Sequence, residues 1–316
     1  MKFVVTGSAG FIGRHIGDAL LDDGHEVVGV DAYTDYYEPA LKRANTAWLC
    51  RHGERFRSVE RDLVTEPVDD LLAGADAVVH LAGQPGVRLS WSDGFRVYVD
   101  RNIVASQRLL EAARRTAVPR LVLASSSSVY GEAPAGPTSE TSPTRPFSPY
   151  GVTKLAMEDL VGAYVANWGL PVVILRYFTV YGPAQRPDMG IHRFITHAAA
   201  GTPAPVYGDG EQVRDFTYVG DAARATILAA HADLAPGTVL NVAGGSSATV
   251  NEVLELVSQH VGTEMRREEL PPQPGDVRAT GGTTDRARRL LGWQPETPLD
   301  EGIKRQVVHQ LSSGDG

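Results

Sequence analysis

Short runs of consecutive apolar residues recur along the chain, and longer segments with helical spacing of apolar positions separate them. The runs predict buried strands at 3–6, 26–31, 77–81, 120–124, 171–177 and 239–242. The segments between them predict helices over about 11–23, 93–117, 149–168 and 219–232. Strands that alternate with helices of this length indicate a parallel, doubly wound α/β sheet.

The second half of the chain has a less regular pattern. From about residue 181 we expect short strands and small helices, and only 214–243 regains the strand–helix rhythm. We therefore predict a first domain at 1–180, to which 214–243 returns, and a smaller, interleaved α/β substrate-binding lobe within 181–316. Proline and glycine cluster at 131–146, 182–190, 201–210 and 271–283, which predicts loops around a cleft.

Composition excludes several classes of protein. The 316 residues include 30 basic and 38 acidic side chains, and the net charge of −8 argues against a broad nucleic-acid surface. The single cysteine, Cys50, excludes an internal disulfide and fits a reducing compartment. No apolar run approaches the roughly 18 residues of a membrane span. Because the N-terminus starts with an apolar strand rather than a signal peptide, we expect a cytoplasmic location.

A glycine-rich loop joins the first predicted strand to the first helix. Gly7 allows a tight turn, Gly10 lets the backbone approach a pyrophosphate, and Gly13 lets the helix pack on the strand. The helix N-terminus then directs its N–H groups at the phosphates. Asp31 ends the next strand, where a carboxylate accepts hydrogen bonds from the adenosine ribose and repels a 2′-phosphate. This pattern predicts a Rossmann-type domain that binds NAD.

Other residues near the strand ends complete the predicted cofactor site. Asp62 is expected to bind the edge of the adenine, with Leu63 packed against it, and Asn102 to satisfy backbone groups near a strand end. The nearby cations Lys42 and Arg43 leave NADP open as an alternative. The predicted cofactor contacts are Gly7, Gly10, Phe11, Ile12, Gly13, Asp31, Asp62, Leu63, Leu81, Ala82, Gly83, Asn102, Tyr150, Lys154 and Tyr177.

Tyr150 and Lys154 are the candidate catalytic pair. Their i, i+4 spacing places both side chains on one face of a helix, behind the serine run 125–128. An ammonium near a phenol favours the phenolate and lowers its pKa. We therefore expect Tyr150 to serve as a general base near neutral pH.

In combination these motifs resemble an extended short-chain dehydrogenase/reductase of the nucleotide-sugar epimerase group, over nearly the whole chain. The motifs are the glycine loop, Ser126, Tyr150 with Lys154, and Arg214-Asp215-Phe216. The resemblance implies that the tyrosine takes a proton from a sugar hydroxyl while hydride passes to NAD. It also implies that Lys154 holds the nicotinamide ribose, that Ser126 bonds the same sugar oxygen, and that helices 93–117 and 149–168 form a homodimer.

Ser127 and Ser128 separate the subclasses of this group. The 4,6-dehydratases that resemble this chain have Asp-Glu at these positions, and UDP-glucuronate decarboxylases have Glu at the second. A hydroxyl orients a sugar oxygen but accepts protons poorly near neutral pH. The two serines therefore favour epimerisation over dehydration or decarboxylation, and we expect them to contact the substrate.

The segment after the strand at 171–177 resembles UDP-glucuronate 4-epimerases. Thr179 stands where UDP-galactose epimerases commonly have Asn, and the run 186–189, Arg-Pro-Asp-Met, matches the glucuronate enzymes. The resemblance implies that Thr179 and Arg186 bind the sugar carboxylate, with Arg88 as a helper, and a guanidinium suits such a forked pair. Ala184-Gln185 departs from the Trp-Gly or similar pair that glucuronate epimerases often carry.

The resemblance also implies the nucleotide contacts. Tyr207 is expected to stack on uracil or thymine, Gln212 to reach the ribose, Arg214 and Arg278 to neutralise the diphosphate, and Asp276 to bind ribose hydroxyls.

The predicted activity is reversible C4 epimerisation of UDP-glucuronate to UDP-galacturonate, without a metal, a membrane or a nucleic acid. The nearest alternative is a 4-epimerase of a neutral UDP-hexose or a dTDP-sugar. A nucleotide-sugar decarboxylase is less favoured, as is a non-catalytic NAD-binding module, since such modules commonly lack the Tyr or the Lys.

Overall fold

The computed structural model describes residues 1–132 and 136–312, so the predicted loop at 131–146 lies partly outside the described residues, as does the end of the predicted lobe at 181–316. The strands are β1 (Lys2–Thr6), β2 (Glu26–Asp31), β3 (Phe56–Glu60), β4 (Ala77–His80), β5 (Leu121–Ser126), β6 (Val172–Tyr177), β7 (Thr179–Tyr181), β8 (Ala204–Tyr207), β9 (Val213–Tyr218), β10 (Thr238–Val242), β11 (Ser246–Thr249) and β12 (Arg267–Leu270). The helices are α1 (Phe11–Asp22), α2 (Pro39–Cys50), α3 (Asp69–Leu72), α4 (Phe95–Tyr98), α5 (Ala105–Thr116), α6 (Pro149–Trp168), α7 (Gly190–Ala200), α8 (Val219–His231), α9 (Val250–Val261), α10 (Asp285–Leu291) and α11 (Leu299–Ser312).

The large sheet has the strand order β10-β6-β5-β4-β1-β2-β3, and every pairing in it is parallel. The order reverses at β1, which lies between β2 and β4. In such sheets ligands bind beyond the carboxyl ends of the strands at the reversal point. Apolar clusters cover both faces, and α1 with α8 lies on one face while α5 and α6 lie on the other. The predicted doubly wound α/β fold is confirmed.

The long helix α6 shows why the sequence forms this element at this place. The side chain of Ser148 accepts a hydrogen bond from the Gly151 N–H, and Pro149 occupies the first turn, where its missing N–H costs nothing. Gly169 ends the helix in the left-handed conformation with φ of 61°. These caps hold the first turn of α6, and therefore Tyr150, against the end of β5.

The smaller lobe contains two short sheets, β11-β9-β7 and β12-β8. Residues of α7, α9 and α11 pack on them in a separate apolar core around Tyr181, Ile195, Val257 and Ile303. The chain enters this lobe after β6, returns to the large sheet with α8 and β10, and leaves again at β11. The two lobes are thus interleaved, and β9 belongs to the small sheet although α8 and β10 belong to the large one.

Several elements differ from the sequence prediction. Helix α2 and strand β3 were not predicted, and β8 lies inside the predicted loop at 201–210. The buried positions of α2 are Lys42, Asn45 and Leu49, so this helix lacks an apolar stripe in the sequence. The predicted helix at 93–117 is interrupted by a π-helical turn, Val99–Val104, between α4 and α5. Within the described ranges, none of the helices is long and apolar enough to cross a membrane.

Candidate active site

The glycine loop between β1 and α1 has a backbone that only glycine fits. Gly7 has φ of 72°, and a Cβ there would approach the Ala82 nitrogen to 2.8 Å. A Cβ on Gly13 would lie 2.1 Å from the Gly7 carbonyl oxygen. Helix α1 begins after Gly10, which has no side chain to cap the first N–H groups of the helix. The loop therefore presents a bare helix N-terminus beside the end of β4, which fits the diphosphate of a dinucleotide.

Asp31 lies where the predicted ribose contact requires it. Its carboxylate accepts hydrogen bonds from the N–H groups of Ala9 at 3.2 Å and Tyr33 at 2.9 Å, and burial raises its pKa. The side chain of Lys42 donates to the Thr34 carbonyl at 2.6 Å and lies over a tyrosine ring, rather than pointing freely at a ligand. The acidic end of β2 and the engaged lysine favour NAD over NADP.

Asn102 lies in the π-helical turn and is fully buried. Its Oδ1 accepts from the Gln84 N–H at 2.7 Å, and its Nδ2 donates to the Gln84 carbonyl at 3.0 Å and to Thr153 Oγ1 at 3.0 Å. The prediction that Asn102 satisfies backbone groups near the strand end is confirmed. A Cβ on Gly83 would meet Asn102 Oδ1 at 2.7 Å, so the chain passes through a narrow gap there.

The predicted adenine contacts are engaged within the protein. Asp62 accepts hydrogen bonds from Arg101 at 2.5 Å and from the Val64 N–H at 2.9 Å, while Leu63 is buried in the core. Asp62 therefore shapes a loop at the end of β3, and a contact with adenine remains a proposal.

Tyr177, a predicted cofactor contact, lies at the carboxyl end of β6 and is buried. Its hydroxyl shares a 2.6 Å hydrogen bond with Thr226 on α8, and its ring packs in the core. This side chain is therefore committed to the packing of α8 on the sheet.

The candidate catalytic residues meet at the carboxyl end of β5. Ser126 ends β5, Tyr150 lies in the first turn of α6, and Lys154 follows one turn later. The Lys154 Nζ donates to the Ala124 carbonyl at 2.9 Å, and burial lowers its pKa to about 8. The Ser126 hydroxyl hydrogen-bonds the Tyr150 phenol. The fold thus assembles the predicted trio of Tyr, Ser and Lys.

One expectation about this trio is wrong for the structure as it stands. Lys154 was expected to lower the pKa of Tyr150, but burial raises that pKa, and only the Ser126 hydrogen bond and the charge of Arg186 oppose the rise. The ammonium of Lys154 is turned to a backbone carbonyl instead. Desolvation of the phenol thus exceeds the electrostatic effects that the sequence suggested.

Sequence reasoning missed two groups beside the trio. The ring of Tyr98 meets that of Tyr150 edge to face at 6.1 Å, and the Tyr98 hydroxyl donates to the Pro85 carbonyl at 3.0 Å. On α6, Glu158 forms a buried pair with Arg176, with bonds from Nε and Nη2 to the carboxylate at 3.0 and 2.6 Å. The signal for Glu158 was its position one turn after Lys154.

The serines after Ser126 form a short 3₁₀ turn. The Ser128 N–H donates to Ser126 Oγ at 3.1 Å, which orients the hydroxyl that meets Tyr150. Ser127 and Ser128 are half-buried and lie at the carboxyl end of the sheet. Both side chains are hydroxyls, so neither supplies the carboxylate that a dehydratase or a decarboxylase would use at these positions.

A cavity of about 200 Å³ lies in the smaller lobe and contains six of the predicted substrate residues. They are Arg88, Thr179, Tyr207, Gln212, Arg214 and Asp276. In the part of the chain that the structure describes, Tyr150 and Ser126 do not line this cavity, which therefore suits the nucleotide end of a ligand rather than the reacting carbon.

The polar groups of this cavity already contact one another. Arg88 pairs with Asp276 at 3.1 Å, and its guanidinium lies 3.9 Å from the centre of the Tyr207 ring. Gln212 donates to the Tyr207 carbonyl at 2.7 Å. Burial lowers the pKa of Arg214 from its usual value, which indicates a desolvated cation suited to an anionic ligand.

Two predicted arginines lie outside this lining. Arg278 forms an exposed ion pair with Asp209, with both side chains more than half exposed, so the structure does not bring it to the cavity. Arg186 lines a neighbouring cavity of about 300 Å³ and pairs with Asp188 at 2.9 Å. Within the described ranges, no three His, Cys, Asp or Glu side chains form a group that could hold a metal ion.

This sheet, glycine loop and trio of Tyr, Ser and Lys define an extended short-chain dehydrogenase/reductase. A family model described as the NAD dependent epimerase/dehydratase family matches residues 3–243. The chain belongs to this family, whose cofactor is NAD, as predicted.

Full-length relatives support the same classification. The uncharacterized UDP-glucose epimerase YtcB of Bacillus subtilis (strain 168) is 39% identical over 317 residues, covering 100% of both chains. The UDP-glucuronate 4-epimerase of Thermodesulfobacterium geofontis (strain OPF15) is 39% identical over 96% of this chain and 94% of its own. The crystal structure of UDP-glucuronic acid 4-epimerase from Bacillus cereus with UDP-glucuronic acid and NAD has a TM-score of 0.95 at 38% identity, covering 99% of this chain and 100% of that chain.

Proposed function

We propose that this chain catalyses the reversible C4 epimerisation of UDP-glucuronate to UDP-galacturonate with bound NAD. The observation that carries the proposal is that Tyr150, Ser126 and Lys154 meet at the carboxyl end of β5, where two serines rather than carboxylates follow Ser126 in the sequence. The relatives from T. geofontis and B. cereus, described as UDP-glucuronate 4-epimerases, support the choice of substrate.

The residues of the trio have separate roles in this reaction. When bound, NAD supplies a hydride acceptor that later returns the hydride to the same carbon. The Tyr150 phenol exchanges the proton of the C4 hydroxyl, and Ser126 holds that oxygen. Because burial raises the pKa of Tyr150, proton removal requires compensating positive charge. Arg186 opposes the rise, and we assign Lys154, on the same helix face as Tyr150, to add to that effect. The 4-keto sugar turns about its diphosphate linkage before Tyr150 returns the proton.

The sugar carboxylate needs its own binding group because the intermediate is a β-keto acid. Such an acid loses carbon dioxide most easily when the breaking C–C bond lies parallel to the ketone π system. We assign Thr179 and Arg186 to hold the carboxylate away from that alignment. Thr179 begins β7 and lines the substrate cavity.

The remaining ligand contacts are also proposals. Tyr207 and Gln212 bind the base and ribose, Arg214 binds the diphosphate, Asp276 binds ribose hydroxyls, and Arg88 assists in binding the sugar carboxylate. Ser127 and Ser128 contact the sugar, while Leu81, Ala82, Gly83, Phe11 and Ile12 border the cofactor.

We further propose a homodimer in the cytoplasm. The helices expected to form the dimer expose large apolar side chains, with Val97 of α4 46% exposed and Val152 of α6 48% exposed. Phe147, just before α6, is 56% exposed. Such apolar exposure on neighbouring elements suits a protein interface.

The test is NMR of the purified protein with UDP-glucuronate and no added NAD. We expect UDP-galacturonate to appear, with little pentose product, because the cofactor is regenerated in each cycle and stays bound. A parallel sample with UDP-glucose tests the alternative of a neutral hexose substrate, which the B. subtilis relative favours by its description. Failure to interconvert UDP-glucuronate even with saturating NAD would exclude the proposed reaction.

A further inference from the structure

Arg186, which we assign to bind the sugar carboxylate, already forms an ion pair with a carboxylate of the protein, that of Asp188. Arg186 Nε donates to one oxygen of Asp188 and Nη2 donates to the other, both at 2.9 Å. The Arg186 side chain is only 16% exposed, and Asp188 raises its pKa against the opposing effect of burial. This is the two-bond geometry in which arginine binds carboxylates most strongly.

Asp188 also lies closer to the substrate cavity than Arg186 does. Asp188 and Thr179 both line the cavity of about 200 Å³, whereas Arg186 lines the neighbouring one. Tyr36, from the loop that follows the cofactor residue Asp31, donates its hydroxyl to Asp188 at 3.2 Å. The Asp188 carboxylate is therefore held from two sides, at the border of the cavity that Thr179 also lines.

We propose that Asp188 is an internal competitor of the sugar carboxylate and thereby a specificity-determining residue of this site. This inference rests on the proposed function, in which Arg186 binds that carboxylate. The substrate must displace Asp188 from the Nε–Nη2 edge or bind the remaining Nη1 edge beside it. Either route costs free energy for a negatively charged sugar, because a bond is lost or two like charges share one guanidinium. A neutral hexose does not meet this cost.

Competition between Asp188 and the sugar carboxylate for Arg186 would favour product release in both directions of the reaction. UDP-glucuronate and UDP-galacturonate carry the same carboxylate, so a bare buried arginine would hold both tightly. Asp188 offers Arg186 an alternative partner as either sugar leaves. It therefore speeds release of both, and it keeps the buried guanidinium paired between turnovers.

The test compares Asp188→Asn with a matched control in a Tyr150→Phe background that blocks turnover. The control is Asp69→Asn, because Asp69 accepts the same Nε and Nη2 bonds from Arg115, at 2.6 and 3.0 Å, far from the cavity. Both variants remove one negative charge from one arginine pair. Isothermal titration of the NAD-bound proteins measures the Kd of UDP-glucuronate and of UDP-glucose.

We expect Asp188→Asn to raise the preference for UDP-glucuronate over UDP-glucose at least tenfold, or about 1.4 kcal/mol, while the control leaves the ratio unchanged. An unchanged or lower ratio in Asp188→Asn overturns the proposal, since it would mean that Asp188 only positions Arg186. Asp188→Ser provides the same comparison if circular dichroism shows that the amide variant folds poorly. Absence of epimerisation by the unmodified enzyme contradicts the proposed function instead, so the two failures are distinguishable.

Discussion

Glu158→Gln should affect both the stability of the protein and the pH range of its activity. The Glu158 carboxylate accepts three bonds from Arg176 and one from the Ser125 hydroxyl at 2.5 Å, and both charged side chains are 6% exposed. Arg176 also donates to the Tyr130 hydroxyl at 2.9 Å. Replacing the carboxylate by an amide leaves the guanidinium charge buried without its counterion.

The magnitude follows from that burial. Removing one partner of a buried ion pair typically destabilises a protein by about 3–5 kcal/mol. For a chain of this length, that loss corresponds to a fall of roughly 4–8 °C in the melting temperature. Exposed ion pairs typically contribute about 0–1 kcal/mol, so loss of this buried pair is easily distinguished from loss of a surface pair.

The effect on activity acts through Lys154. Burial lowers the pKa of Lys154 to about 8, and Glu158 opposes this shift. Without Glu158 the pKa falls further, so Lys154 loses its proton at a lower pH. If the charged ammonium is required for catalysis, activity is lost as pH rises through that pKa. The alkaline limb of the pH profile should then move to lower pH in Glu158→Gln.

Urea unfolding and kcat measured between about pH 6 and 10 test both effects. The double variant Glu158→Gln with Arg176→Met also removes the unpaired guanidinium charge of Arg176. It should recover much of the stability, because apolar replacement of a buried pair is often neutral. Its alkaline limb should stay shifted, since the charge near Lys154 is still absent. A loss of stability below about 1 kcal/mol, or an unmoved alkaline limb, would refute this reasoning.

Four other variants test separate parts of the site. Tyr150→Phe should lower kcat by about 10²–10⁴-fold while calorimetry still detects nucleotide-sugar binding, and retained turnover would remove Tyr150 as the base. Thr179→Ala and Arg186→Ala should each raise the ratio of pentose by-product to epimer in NMR assays, and an unchanged ratio in both would contradict their role. Gly13→Ala places a Cβ 2.1 Å from the Gly7 oxygen, so it should cost more than about 4 kcal/mol or abolish NAD retention; a stable variant that retains NAD would contradict the close packing.

The strands of the large sheet were predictable because most of them are continuous apolar runs. Parallel strands are buried on both faces, so β1, β4 and β6 stand out in the sequence as such runs. Strand β3 was missed because it lies at the edge of the sheet, where only Phe56 is buried among its five residues. An edge strand with polar positions has no periodicity that distinguishes it from a loop.

Some features of the candidate site could also be predicted from the sequence, and others could not. Gly7, Gly13 and Asp31 were predictable because their roles depend on local backbone geometry at a strand end. The direction of the Tyr150 pKa shift was not, because burial of the phenol depends on residues distant in sequence. The pairing of Arg186 with Asp188 was also hidden, since adjacent charges in a sequence do not reveal which partner each one takes.

The interleaving of the lobes bears on how the chain acquires its structure during synthesis. Strand β6 pairs with β10, which follows it by about sixty residues. Trp293 is fully buried in the core of the large lobe, where its indole N–H donates to the Asp221 carbonyl at 3.0 Å. A ribosome releases the chain from the N-terminus, so β6 emerges with one edge bare. The large lobe therefore lacks strand β10 and the buried Trp293 until synthesis has passed residue 293. Nascent chains truncated before Trp293 should therefore remain open to protease and to chaperones.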